Sequence, residues 1–189
     1  SVMEKGADHS VHLPDYTADA SLAFKQQLAT LTDSYLALKD AFVATDSTRA
    51  SAQAQQLVAD LAQIDMSEVK GEAHTYWMEQ SAAIQSHAQR IAELTQIEDQ
   101  RQQFDFLSQA MITSIKVFGI PEDTYYIQHC PMAFDNEGAD WISDVEEIRN
   151  PYFGDRMLKC GTVQEIIDKD FRNLPPSSAA GRGRLQHKH

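Results

Sequence analysis

Two short clusters of sulfur-bearing residues hold the side chains best suited to chemistry: His129-Cys130-Pro131-Met132 and, about thirty positions on, Met157-Leu158-Lys159-Cys160. In extended backbone, residues i and i+2 point the same way, and Pro131 disfavours helix at Cys130. The Cys130 and Met132 sulfurs are therefore expected to face one point, with His129 facing away unless a kink turns it in. In a helical turn i and i+3 share a face, so Met157 and Cys160 are expected to converge as well. Together these residues offer two thiols, two thioethers and, with the kink, an imidazole. Thiolate and thioether donors favour Cu(I), or the chemically similar Ag(I), over hard ions. Zinc is well served by Cys and His alone, so the methionines are the discriminating feature. Trp141 lies between the clusters, and its ring offers a face to a cation.

The same spacing has a plainer use. In an oxidising compartment Cys130 and Cys160 would form a disulfide, stabilising the fold by about 3 to 4 kcal/mol in the chain-entropy model. Met132 and Met157 would then fill core space. Spacing alone leaves both uses open. Other candidates are weaker. His129 beside Cys130 suggests a Cys/His nucleophile, but adjacent side chains rarely point at each other, and no enzyme activity is expected. His74 and His87 read as ordinary helix histidines, and His9, His12, His187 and His189 as loose metal binders at most. Asp144, Glu146 and Glu147 read as a solvated acidic face. Arg149 and Asn150 are placed to pin a bend through backbone hydrogen bonds, and Tyr152 and Phe153 to bury against the preceding helices.

The elements that must position these residues follow from periodicity. Leu28, Leu31, Tyr35, Leu38 and Phe42 form one apolar helical face. Thr45-Asp46-Ser47 breaks that helix, with Asp46 or Ser47 capping the next, which carries Ala50, Ala54, Leu57, Leu61 and Ile64. After a break at Asp65-Met66-Ser67, a third helix carries Ala73, Trp77, Ile84, His87, Ile91 and Leu94, and a fourth Ile97, Arg101, Phe104, Leu107, Met111, Ile115 and Phe118. Gly119-Ile120-Pro121 ends it. Short connections imply antiparallel neighbours. The expectation is a mainly α protein: an antiparallel four-helix bundle over 20–118, then a small irregular α+β C-terminal cap over 119–173 carrying the Cys/Met motifs. Within the cap, strands are expected at Thr124–Gln128 and Ala139–Ser143, turns at Asn136-Glu137-Gly138 and Asn150–Gly154, and a last short helix over 162–172. Residues 1–19 read as a flexible lead-in and 174–189 as a flexible tail.

The chain has Lys+Arg 16 and Asp+Glu 28, a formal charge of −12. So acidic a surface repels phosphates and anionic lipid, which argues against nucleic acid and membrane surfaces as partners. No apolar run approaches the roughly 18 residues that span a bilayer, no signal peptide is visible, and two cysteines are too few for a disulfide scaffold.

The stretches Tyr126–Phe134, Gly138–Ser143 and Ile148–Gly161, with Tyr35–Ala41 and Arg101–Ser108 upstream, resemble a bacterial family catalogued only as a domain of unknown function. The resemblance runs over roughly 24 to 165. Members of that family are small exported proteins or are fused to membrane-fusion adaptors of copper and silver efflux systems. The resemblance implies a periplasmic or otherwise exported setting, a link to heavy-metal efflux, and an efflux adaptor or other envelope protein as partner. It implies no established activity. With it, soft-metal binding by Cys130, Cys160, Met132 and Met157, with His129 as a further ligand, moves ahead of the alternative, a disulfide-stapled interaction module without metal. The expected role is that of a carrier, buffer or sensor of Cu(I) or Ag(I).

Overall fold

In the computed structural model, which describes residues 12–169, helix α1 (Leu22–Val43) starts where the Ser21 side chain accepts from the Phe24 amide at 3.0 Å. Asp46 does the same for the Arg49 amide at the head of α2 (Ser47–Ala62). Such caps satisfy amides that have no partner inside the helix. A single helical turn at Met66–Glu68, capped by Asp65, leads to α3 (Glu72–Glu93), and α4 (Ile97–Phe118) stops at Gly119 with φ +88. The helices pack in chain order, α1 on α2, α2 on α3 and α3 on α4. The expected stripe is buried: Leu31, Leu38, Leu57, Phe104, Leu107 and Met111 have no exposure and Trp77 has 1%.

Two polar side chains lock this layer from inside. The Gln100 amide donates to the carbonyls of Ile91 and Leu94 and to Ser47 and Ser51, tying α2, α3 and α4. Arg101, 2% exposed, donates to the Phe42 and Pro151 carbonyls at 2.8 Å and to Thr45 Oγ1 at 3.0 Å. It thereby joins the end of α1 to the segment around Pro151. Burial lowers its pKa from the ordinary guanidinium value, and satisfied donors are what make a buried charge tolerable.

The remainder is a three-stranded antiparallel sheet in the order β2-β1-β3, built from β1 (Tyr125–Cys130), β2 (Ala139–Ser143) and β3 (Thr162–Ile167). The first strand overlaps the expected Thr124–Gln128 and runs on to Cys130, and the second matches the expected Ala139–Ser143. The third corrects the expected helix over 162–172. Its register shifts between Ile127/Glu165 and Gln128/Val163, leaving Gln164 as the extra residue of a bulge. The bulge puts Val163 and Ile166, three apart, on one face of the strand, so a strand imitates helical spacing. The lead-in is corrected too. Tyr16 donates its amide to the Val117 carbonyl at 2.9 Å and sets its ring edge-on to Tyr76 and tilted beside Phe118, so the chain is anchored from Tyr16 rather than loose up to residue 19. Residues 1–11 and 170–189, with the expected tail and His9, His187, His189 and Phe171, lie outside the described residues. Among the described residues no helix is long and apolar enough to cross a membrane.

Candidate functional site

Strand alternation gives the sheet two different faces. Ile127, His129, Asp140 and Ile142 lie on one; Tyr126, Gln128, Cys130 and Trp141 lie on the other. The first face meets the helices. Lys116 of α4 pairs with Glu165 of β3 at 2.6 Å, and the Tyr35 hydroxyl accepts from the Ile142 amide at 3.1 Å while bonding Ser108 Oγ at 2.6 Å. Tyr152 adds a second fixture, donating to the Asp140 carbonyl at 2.6 Å. Both tyrosines are buried and their pKa values are raised, first of all by burial, which keeps them neutral and able to donate.

The second face is covered by the chain from 144 to 161. Gln128 Nε2 donates to the carbonyls of Val145 and Glu146, both at 3.0 Å. Asn150, with no exposure, organises the rest. Its Oδ1 accepts from the Tyr152 and Phe153 amides at 2.8 and 3.1 Å, and its Nδ2 donates to the Cys160 carbonyl at 2.7 Å. A helical turn at Gly154–Met157 follows, and the Cys160 amide donates back to the Met157 carbonyl at 3.0 Å. Gly161 then lets the chain lie against β1: at its φ of +147, a Cβ would stand 2.9 Å from the His129 carbonyl oxygen and 3.0 Å from Trp141 Cη2.

These restraints bring the two cysteine sulfurs to 3.2 Å, as free thiols. Cys130 is fully buried at the end of β1, and Cys160 is partly exposed. The contact with Cys130 and, after it, burial raise the Cys160 thiol pKa. The separation lies between two chemical states. A disulfide needs about 2.05 Å, a closure of about 1.1 Å. With metal–thiolate bonds of about 2.3 Å, 3.2 Å subtends an S–metal–S angle near 90°. A three-coordinate ion at 120° needs about 4.0 Å and a linear one about 4.6 Å, so a third donor lessens the opening required.

The methionines are arranged otherwise than the spacing argument supposed. β1 ends at Cys130 because Pro131 has no amide to donate, and Met132 adopts right-handed helical angles. The i, i+2 alignment of Cys130 with Met132 therefore does not apply. Met132 is 46% exposed, which does not suit core filler. Met132 and Met157 line one groove of about 390 Å³ with Phe134, Phe153, Tyr152 and Arg156, and neither cysteine is among its lining residues. The groove's floor follows from a four-residue turn, α5 (Ala133–Asn136), whose Phe134, Asp135 and Asn136 have φ of 53, 55 and 69. Three successive non-glycine residues in the left-handed region cost about 1–2 kcal/mol each, and such strain persists only where the surroundings impose it.

His129 lies on the face opposite Cys130, and its Nδ1 is 2.6 Å from Asp140 Oδ1. The kink that would turn it toward the thiols does not occur. Asp140 was not singled out in the sequence; the signal was its cross-strand register with His129. Among the described residues no three His, Cys, Asp or Glu side chains gather as a ligand set. Sulfur donors beyond the two thiols would have to be Met132 and Met157. Trp141 is fully buried, and its ring edge packs on Gly161 beside Cys160. Asp144, Glu146 and Glu147 are exposed as expected, and of the Arg149–Asn150 pair it is Asn150 that pins the bend.

Fold and site together define a mainly helical protein with a small antiparallel sheet, where a free thiol of β1 meets a free thiol of the covering segment. Residues 31–123 match the family model described as a protein of unknown function (DUF3347). The match lies on the helices and ends just before β1. No curated protein and no solved structure matches the chain.

Proposed function

We propose that this is an exported soft-metal binding protein, a carrier, buffer or sensor of Cu(I) or Ag(I) associated with heavy-metal efflux. In this reading an antiparallel four-helix bundle serves as the scaffold. The observation that carries the proposal is the pair of free sulfurs, Cys130 and Cys160, at 3.2 Å, brought from segments thirty residues apart. Two thiolates on a stiff frame suit a low-coordinate soft cation. Met132 and Met157 are proposed as supplementary donors on the softness of their thioethers and on Met132's exposure, although the groove they share is not lined by either cysteine. His129, held by Asp140, contributes least. The exported setting and an efflux adaptor or envelope partner rest on the sequence resemblance alone.

The test is a competitive titration of reduced protein with Cu(I) or Ag(I). One ion is expected per chain, held much more tightly than Zn(II), with binding weakening as pH falls because protons compete for the thiolates. Cys130→Ser or Cys160→Ser should nearly abolish it. Met132→Leu with Met157→Leu keeps volume and apolarity and should weaken Cu(I) while leaving Zn(II) little changed. Unchanged Cu(I) affinity in that double variant would remove the methionines from the site. The second reading, a disulfide-stapled interaction module without metal, is favoured by the same proximity. It takes over if protein isolated without reductant is bridged and takes up no metal.

A further inference from the structure

The two thiols are in contact, yet solvent reaches them unequally. Cys130 Sγ belongs to a residue with no exposure at the end of β1, under the covering segment. Cys160 is partly exposed on that segment, and its backbone is held on both sides, amide to Met157 and carbonyl to Asn150. Exchange with an external disulfide requires the attacking sulfur to meet its target in line, so a buried sulfur is out of reach whatever its ionisation, and access favours Cys160.

From this asymmetry we propose that Cys160 is a thiol–disulfide exchange site and that Cys130 is the thiol that resolves it. The co-reactant is a small disulfide, RS–SR. The Cys160 thiolate attacks one sulfur of RS–SR; the Cys160–SR bond forms, the S–S bond of the reagent breaks, and RS⁻ leaves. Cys130 then attacks Cys160 Sγ from within, and the second RS⁻ leaves toward solvent, on the side away from Cys130. Two protein thiols are oxidised to one disulfide, RS–SR is reduced to two RSH, and the two thiol protons end on them. The sulfurs close by about 1.1 Å from their 3.2 Å contact. The mixed disulfide at Cys160 is therefore short-lived in the native chain. This chemistry does not rest on the metal reading, although the bridged form has no thiolate left for an ion.

The probe is glutathione disulfide, added in excess to the reduced full chain without oxygen and followed by intact mass and free-thiol count. The native chain should lose both thiols, release two glutathione molecules and show no lasting adduct. Cys130→Ser should accumulate one adduct, mapped to Cys160. Cys160→Ser should react at least about tenfold more slowly than Cys130→Ser until urea exposes Cys130. Circular dichroism and urea melts identify a variant that does not fold. In that case the native chain decides alone, since limiting iodoacetamide should label Cys160 at least about tenfold over Cys130. Equal labelling, a persistent adduct on the native chain, or fast adduct formation on folded Cys160→Ser would overturn the proposal. Metal titration of the reduced chain is a separate readout, so failure of exchange is distinguishable from failure of soft-metal binding.

Discussion

Replacing Asn150 tests whether one side chain sets both the fold of the covering segment and the position of Cys160. Its amide makes three hydrogen bonds, to the Tyr152 and Phe153 amides and the Cys160 carbonyl, and it has no exposure. Asn150→Ala leaves three backbone groups without that partner. A buried group left unpaired costs about 1–3 kcal/mol, and water entering the vacated space recovers part of it, so the loss should be about 3–5 kcal/mol. For a chain of this size that corresponds to a fall in Tm of about 10 °C. Asn150→Asp separates the two functions. It keeps an acceptor for the Tyr152 and Phe153 amides but sets a carboxylate against the Cys160 carbonyl, which should raise that carboxyl's pKa in the folded state. The protonated form donates to the carbonyl as the amide did. A carboxyl raised in this way binds more protons folded than unfolded, so stability falls as pH rises from about 3.9 through the folded value. Relative to the parent at the same pH, Asn150→Asp should therefore be nearly neutral at pH 4 and clearly destabilised at pH 7. Urea unfolding of the reduced proteins at both pH values measures this, and the rate of disulfide closure reports Cys160. A loss under about 1 kcal/mol in the alanine variant, or equal damage by aspartate at both pH values, would refute the assignment.

Three other perturbations probe the same framework. Gly161→Ala puts a Cβ 2.9 Å from the His129 carbonyl oxygen at positive φ; urea unfolding should show a loss of about 2–4 kcal/mol, and glutathione titration a less favoured Cys130–Cys160 bond. Tyr35→Phe removes the hydroxyl that accepts from the Ile142 amide; it should cost about 1–3 kcal/mol and reduce protection of that amide in hydrogen exchange. Burial, then Asp123 and Asp144, raise the Asp33 carboxyl pKa, so its ionisation weakens the fold as pH rises; Asp33→Asn should raise Tm at pH 7, with the gain shrinking in salt and vanishing below the carboxylate range.

Each helix was legible because burial acts locally on a period of 3.6: the stripe through Leu31, Leu38, Leu57 and Phe104 is the core, and Asp46 and Gly119 mark helix ends by local geometry. β1 and β2 were legible from residue types between turn signals, the first shifted by one residue at its start and two at its end. The approach of Cys130 to Cys160 was legible only as a consequence common to a bridge and a shared ion. β3 was not legible, because a bulge at Gln164 is set by pairing with β1, and pairing with a distant strand leaves no local period of its own.

The side chains beyond the thiols divide the same way. Residue types alone determined that soft donors dominate this segment and that Pro131 interrupts regular structure. Only the tertiary structure decided that His129 turns to Asp140 and away from the thiols, that Met132 and Met157 share an outer groove, and that Cys130 is buried while Cys160 meets solvent. Spacing constrains what neighbours in the chain can do together, whereas access and partnership depend on which distant segment covers a side chain. Here that segment is the Asn150-pinned loop, seated by Arg101 on the helices, contacts that no local pattern encodes.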